Sequence, residues 1–121
     1  MFDIEVFSNF SAAHRLRGYK GKCENLHGHN WKVGAAVSSN KPDKIGIVVD
    51  FKEVKRRLKD VLKKLDHKNL NSLAYFRKIN PTSENLAKFI YDELKKKRLP
   101  VSSVSVWEAD DSKVTYSDNT T

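Results

Sequence analysis

His27-Gly28-His29 sets two imidazoles two positions apart. At the start of a strand, residues i and i+2 point to the same side. Two such rings can chelate one metal ion, and Gly28 keeps the position between them free of bulk. His14 closes the strand pattern that precedes them. If the two strands pair antiparallel around the loop at 15–26, His14 comes close to His27. A catalytic zinc ion takes nitrogen ligands, three from the protein, and keeps one tetrahedral corner open. His14, His27 and His29 are therefore candidate zinc ligands, the alternative being a surface histidine pair. The chain holds one cysteine, which excludes both an internal disulfide and a closed Cys-rich zinc site.

Four further residues carry groups able to do chemistry. Cys23 lies four residues before His27 in the same loop. A nearby cation lowers a thiol pKa and makes the thiolate available as base or nucleophile; a buried, inert cysteine is the equal alternative. Asp66 directly precedes His67, and a carboxylate beside an imidazole can orient it and raise its basicity. The alternative is a polar pair past a helix end. Glu108 ends an apolar strand face, where it could grip two adjacent N–H groups of a ligand or simply be solvated.

The elements that must position these groups are legible in the hydrophobic periods. Phe2, Ile4 and Val6 alternate with polar or exposed-facing neighbours, predicting a strand that runs through Phe10 to about Ala13. Trp31, Val33, Ala35 and Val37 predict a second, over about 29–39. Asp50 can cap a helix whose stripe is Phe51, Val54, Leu58, Val61, Leu62 and Leu65. Its opposite face offers Glu53–Arg57 and Asp60–Lys64 as i,i+4 pairs, each worth roughly 0.3 kcal/mol. Residues 66–81 are expected to be a polar connection. Thr82 caps a second helix with Leu86, Phe89, Ile90 and Leu94 buried, and Pro100 stops it. The Lys95–Arg98 run suits a helix C-terminus. Val101–Glu108 and 114–117 form a closing hairpin around Ala109-Asp110-Asp111-Ser112.

The order β-β-α-α-β-β, without repeats or linkers, implies an α+β fold with an antiparallel sheet covered on one face by two helices. A single domain is expected over 1–117, followed by a polar tail at 118–121. Open sheet edges would invite self-association. With 121 residues, 39% hydrophobic and 31% charged, the composition is that of an ordinary folded domain. No run approaches the roughly 20 apolar residues of a membrane span, and the acidic N-terminus is unlike a signal peptide; a cytoplasmic location is expected. A net charge of +8 suits polyanionic partners, though Lys-rich and Glu-rich surfaces also accompany heat adaptation.

These residues, taken together, resemble the 6-pyruvoyl-tetrahydropterin synthase / 6-carboxy-tetrahydropterin synthase family over nearly the whole chain. The resemblance is carried by Phe10-Ser11-Ala12-Ala13-His14, Cys23 with His27-Gly28-His29-Asn30, and Val49-Asp50-Phe51. Leu65-Asp66-His67, Leu70-Asn71, Pro81-Thr82-Ser83-Glu84-Asn85 and Trp107-Glu108 follow in order. It implies the tunnelling fold (T-fold), whose subunits join sheets into a barrel as trimers stacked into hexamers, with active sites between subunits. It implies 7,8-dihydroneopterin triphosphate as substrate and Zn2+ on His14, His27 and His29. Cys23 would be the catalytic thiol, working with Asp66 and His67 as a proton relay. Glu108 would anchor the pterin ring, and Thr82, Ser83 and Glu84 would lie near its pocket. The short chain and the Cys-x-x-x-His-Gly-His spacing look more like the branch forming 6-carboxy-tetrahydropterin and acetaldehyde for queuosine and related deazaguanine nucleosides; the pyruvoyl branch is the alternative. A non-enzymatic zinc or nucleic-acid-binding domain would explain charge and histidines but not Cys23, Asp66-His67 and Glu108 in this order. A zinc hydrolase would not need Cys23. Neither nucleic acid nor membrane is expected as a partner.

Overall fold

A computed structural model describes residues 1–21 and 24–118. The proposed catalytic Cys23 and the end of the polar tail lie outside the described residues. Two long strands, β1 (Phe2–His14) and β2 (His27–Ser39), pair antiparallel in one unbroken register that sets His14 opposite His27 and Ala12 opposite His29. The helix α1 (Phe51–Leu62) follows, then a two-residue strand β3 (Lys68–Asn69) and two short 3-10 turns. After α2 (Ser83–Lys96), β4 (Ser103–Ala109) and β5 (Ser112–Tyr116) complete a sheet of order β3-β1-β2-β4-β5.

The alternating pattern does what its period demands. Phe10, Trp31, Val33, Ala35, Val37, Val104 and Val106 turn to one face and are buried there beneath both helices. Val54, Leu58, Val61, Leu62, Leu86, Ile90 and Leu94 supply the helix side of that core. The caps stand where expected. The Asp50 carboxylate accepts the Lys52 N–H at 2.9 Å, and the Thr82 hydroxyl accepts the Asn85 N–H at 3.1 Å. No helix among the described residues is long and apolar enough to cross a membrane.

Four expectations are corrected. Phe51 is 55% exposed, lying on the helix shoulder rather than in the stripe. Asp60 faces Lys63 at 3.6 Å, not Lys64; Lys64 instead reaches across to Glu93 on α2 at 2.7 Å. The connection at 66–81 is not simply polar, because Leu70 and Phe76 are wholly buried in the core. The sheet is not purely antiparallel, since β3 pairs parallel with Ala12 and Ala13. A two-residue strand carries no periodic signal, so only its tertiary contact reveals it.

Candidate active site

The register of β1 and β2 brings the three histidines together at the end of the helix-covered face. His14, His27 and His29 continue the row of Phe10 and Trp31, and Trp31 packs edge-on against both His14 and His29 with ring centroids 4.9 and 5.2 Å away. Glu108 continues the row of Val104 and Val106 on β4 and so arrives at the same corner. Its Oε1 lies 3.1 Å from His14 Nε2 and 3.1 Å from His29 Nε2. One ligand atom from each of His14, His27, His29 and Glu108 falls within 4.8 Å of the others.

The hydrogen bonds on the far sides of the rings decide which nitrogen is free. His14 Nδ1–H donates to the Pro81 carbonyl at 2.8 Å, and His27 Nδ1–H donates to the Asn25 carbonyl at 2.7 Å. A carbonyl can only accept, so each neutral ring holds its proton on Nδ1 and carries its lone pair on Nε2. Those two Nε2 atoms face each other at 3.0 Å. Two lone pairs at that separation repel unless a cation lies between them. His29 Nε2 is buried and, among the described residues, makes no hydrogen bond, although Glu108 Oε1 lies 3.1 Å away. Burial pushes the His29 pKa down, and the neighbouring His14 and His27 add to this against the pull of Glu108. A neutral ring is what a metal needs. Zinc at about 2.0–2.1 Å from tetrahedral nitrogens would space them about 3.3 Å apart, close to the 3.0 Å between His14 Nε2 and His27 Nε2. The donor set therefore fits a metal ion such as zinc, with carbonyls orienting two of the histidines from behind.

Asp66 and His67 are not members of this cluster. The chain turns sharply there: His67 adopts φ +58°, an uncommon region for a residue with a Cβ, though one in which histidine is enriched. Two bonds to one residue of β1 hold it. His67 N–H donates to the Ser11 carbonyl at 2.6 Å, and the Ser11 N–H donates to Asp66 Oδ1 at 2.9 Å. The second of these, with His67 beside it, holds the Asp66 carboxyl below its ordinary pKa. Asp66 Oδ2 lies 3.0 Å from His67 Nδ1, and His67 Nε2 makes no hydrogen bond among the described residues. The His67 ring lines an open recess of about 530 Å³ with Ser11, Ala13, Gly28, Asn30 and Lys68, on the sheet face that no helix covers. His29 is the one cluster residue that also lines it.

Thr82 and Ser83 begin α2 directly after the carbonyl that holds His14, which places their segment beside the cluster; Glu84 is exposed in its first turn. Gly28 is not required by its neighbours, since a Cβ there would meet only the Ala12 carbonyl at 3.9 Å. Its missing side chain leaves space in the recess instead. Sequence reasoning missed the carbonyls of Asn25 and Pro81. It also missed Glu108 as a member of the cluster, although its place on the face of Val104 and Val106 was the available signal.

The sequence profile of the 6-pyruvoyl tetrahydropterin synthase family matches residues 3–119. The chain belongs to that family. An Archaeoglobus fulgidus protein provisionally named as a 6-carboxy-5,6,7,8-tetrahydropterin synthase is 42% identical, over 89% of this chain and 89% of its own. The human 6-pyruvoyl tetrahydrobiopterin synthase is 36% identical, over 89% of this chain and 86% of its own. Among solved structures, the Caenorhabditis elegans 6-pyruvoyl tetrahydropterin synthase superposes with a TM-score of 0.89 at 30% identity, covering 98% of this chain and 96% of that one. The architecture is thus the T-fold of these synthases.

Proposed function

We propose that this protein is a zinc-dependent lyase converting 7,8-dihydroneopterin triphosphate into 6-carboxy-5,6,7,8-tetrahydropterin, acetaldehyde and triphosphate, with one water making up the balance. It would serve the route to queuosine and other deazaguanine nucleosides. The observation that carries it is the convergence of three imidazole Nε2 atoms, two with their Nδ1 protons committed to carbonyls. His14, His27 and His29 would hold the zinc, which when bound supplies Lewis acidity toward hydroxyls of the substrate side chain.

His67, held by Asp66, takes and returns protons at the side-chain carbons through its free Nε2. Cys23 provides the second base as a thiolate. The Glu108 carboxylate accepts two adjacent N–H groups of the pterin, and Thr82, Ser83 and Glu84 border the ring. The net charge of +8 draws in the triphosphate.

The active site is completed between copies of the chain. The His67 side chain is 83% exposed on the face without helices, while the zinc ligands close the covered face. The sheet also ends in two edges available for pairing: β5, and the length of β1 that the two residues of β3 do not cover. A ring of trimers stacked into hexamers would use both. The test is mass spectrometry of products after zinc-loaded protein meets the substrate. Acetaldehyde with 6-carboxy-tetrahydropterin supports the proposal. A 6-pyruvoyl-tetrahydropterin without acetaldehyde supports the second reading, which the human and nematode relatives favour by name. Neither product, from folded zinc-bound protein, overturns both.

A further inference from the structure

We infer that Asn80 and Arg17 are positioning residues for the metal centre, clamping the chain on either side of the His14–Pro81 contact. The strand pairing of β1 stops at His14, yet its outer edge stays occupied. β3 pairs with Ala12 and Ala13, and two asparagine side chains then take its place. Asn71 accepts the Arg15 N–H at 2.8 Å and donates to the Arg15 carbonyl at 3.0 Å. Asn80 does the same two residues on, accepting the Arg17 N–H at 2.9 Å and donating to its carbonyl at 2.9 Å. A primary amide offers donor and acceptor side by side, which is the pattern of one more strand residue.

The grip is returned from the other side. The Arg17 guanidinium donates from Nη2 to the carbonyls of Phe76 at 2.5 Å and Ile79 at 2.7 Å. Asn85 donates to the Asn80 carbonyl at 2.8 Å from the first turn of α2. Asn80 is therefore fixed at its side chain and its backbone, and the residue after it is Pro81. The Pro81 carbonyl has one described task, accepting the His14 Nδ1–H. Proline has no N–H of its own with which to anchor itself, so its carbonyl is aimed by what holds its neighbours. Loss of the clamp frees the carbonyl, and with it the tautomer and ring angle of His14. The same clamp also fixes where the 15–26 loop leaves β1.

The inference takes the zinc site proposed above as given. It is tested with the whole protein by two metal readouts: the zinc dissociation constant from chelator competition, and the visible spectrum of the cobalt-substituted form. Asn80→Ala should weaken zinc binding about 10-fold or more, the range for groups that orient a ligand, and should shift the cobalt bands. The control is Arg57→Ala. Arg57 bridges Glu53 and the Lys97 carbonyl away from the metal, so its loss should lower Tm while leaving both metal readouts at wild-type values. If Asn80→Ala does not fold, Arg17→Ala serves instead, since it removes both contacts of the guanidinium with the Phe76 and Ile79 carbonyls. Wild-type zinc affinity and cobalt spectrum in a folded clamp variant overturn the inference and leave the metal site standing. A wild-type protein that binds neither ion overturns the metal site, and the inference with it.

Discussion

His14 ends β1 and His67 sits in the turn just before the neighbouring strand β3, yet His14 is 1% exposed and the His67 side chain 83%. The covered face presents three converging imidazoles, His14 and His29 packed edge-on against Trp31, and His14 and His27 each held from behind by a carbonyl. The bare face presents a recess with Ser11, Asn30 and Lys68, and an exposed imidazole that Asp66 holds at Nδ1. The difference teaches where each kind of chemistry can be kept. A ligand cluster needs desolvated, fixed lone pairs, while a proton relay needs an open path and a charged carboxylate behind it. The first is built by long-strand register, the second by a tight turn pinned to Ser11.

The comparison breaks most sharply if the metal cluster is removed. His27→Ala should lose bound zinc and turnover together, as read by metal analysis after dialysis and by product formation. Retention of one zinc per chain would remove His27 from the ligand set. His67→Ala should do the opposite on the metal side: zinc stoichiometry stays, while turnover falls about 10²- to 10⁴-fold, the usual worth of a positioned acid–base group. Mixing these two dead variants after partial denaturation is the sharper test. If each site draws its metal from one copy and its relay from another, random reassembly should restore about a quarter of the sites. No recovery would place both functions within one chain.

Glu108 belongs to the histidine corner, and two roles compete for it there. As pterin anchor, Glu108→Ala should raise KM strongly and leave zinc affinity close to wild type. As a fourth metal ligand it should instead lose zinc first. Its Oε1 touching two histidines makes the second outcome a real competitor, and measured KM beside measured zinc affinity separates them.

The fold was legible where the hydrophobic period was long. Strands β1, β2 and β4, both helices and their caps follow from alternation, 3.6-residue spacing and capping chemistry. The three histidines were legible for the same reason, since antiparallel pairing around one loop converts sequence spacing into a cluster. What stayed hidden depended on contacts distant in sequence. Leu70 and Phe76 sit in an otherwise polar stretch, so nothing local marked them as core. Asn71 and Asn80 act as strand residues only because the chain leaving β1 passes beside them at Arg15 and Arg17. Lys64 left its helical partner for Glu93 because α2 packs within reach. Gly28 read as room for the metal pair, and serves the opposite face.

The smallest effect belongs to the turn behind the proposed relay. The Ser11 N–H, and after it His67, hold the Asp66 carboxyl below its ordinary pKa. A carboxyl depressed in the folded state stabilises the fold above its unfolded value, about 3.9, and loses that contribution as pH falls through the folded value. Asp66→Asn should therefore lower Tm modestly at neutral pH, and the gap to wild type should close as the solution is acidified below about pH 4. The group is open to solvent, so the gap should also shrink with added salt. A gap that persists unchanged into acid would mean that the amide fails on shape rather than on charge. The pinning of the His67 turn would then rest on its backbone bond to Ser11 alone, and Asp66 would keep only its role of orienting the ring.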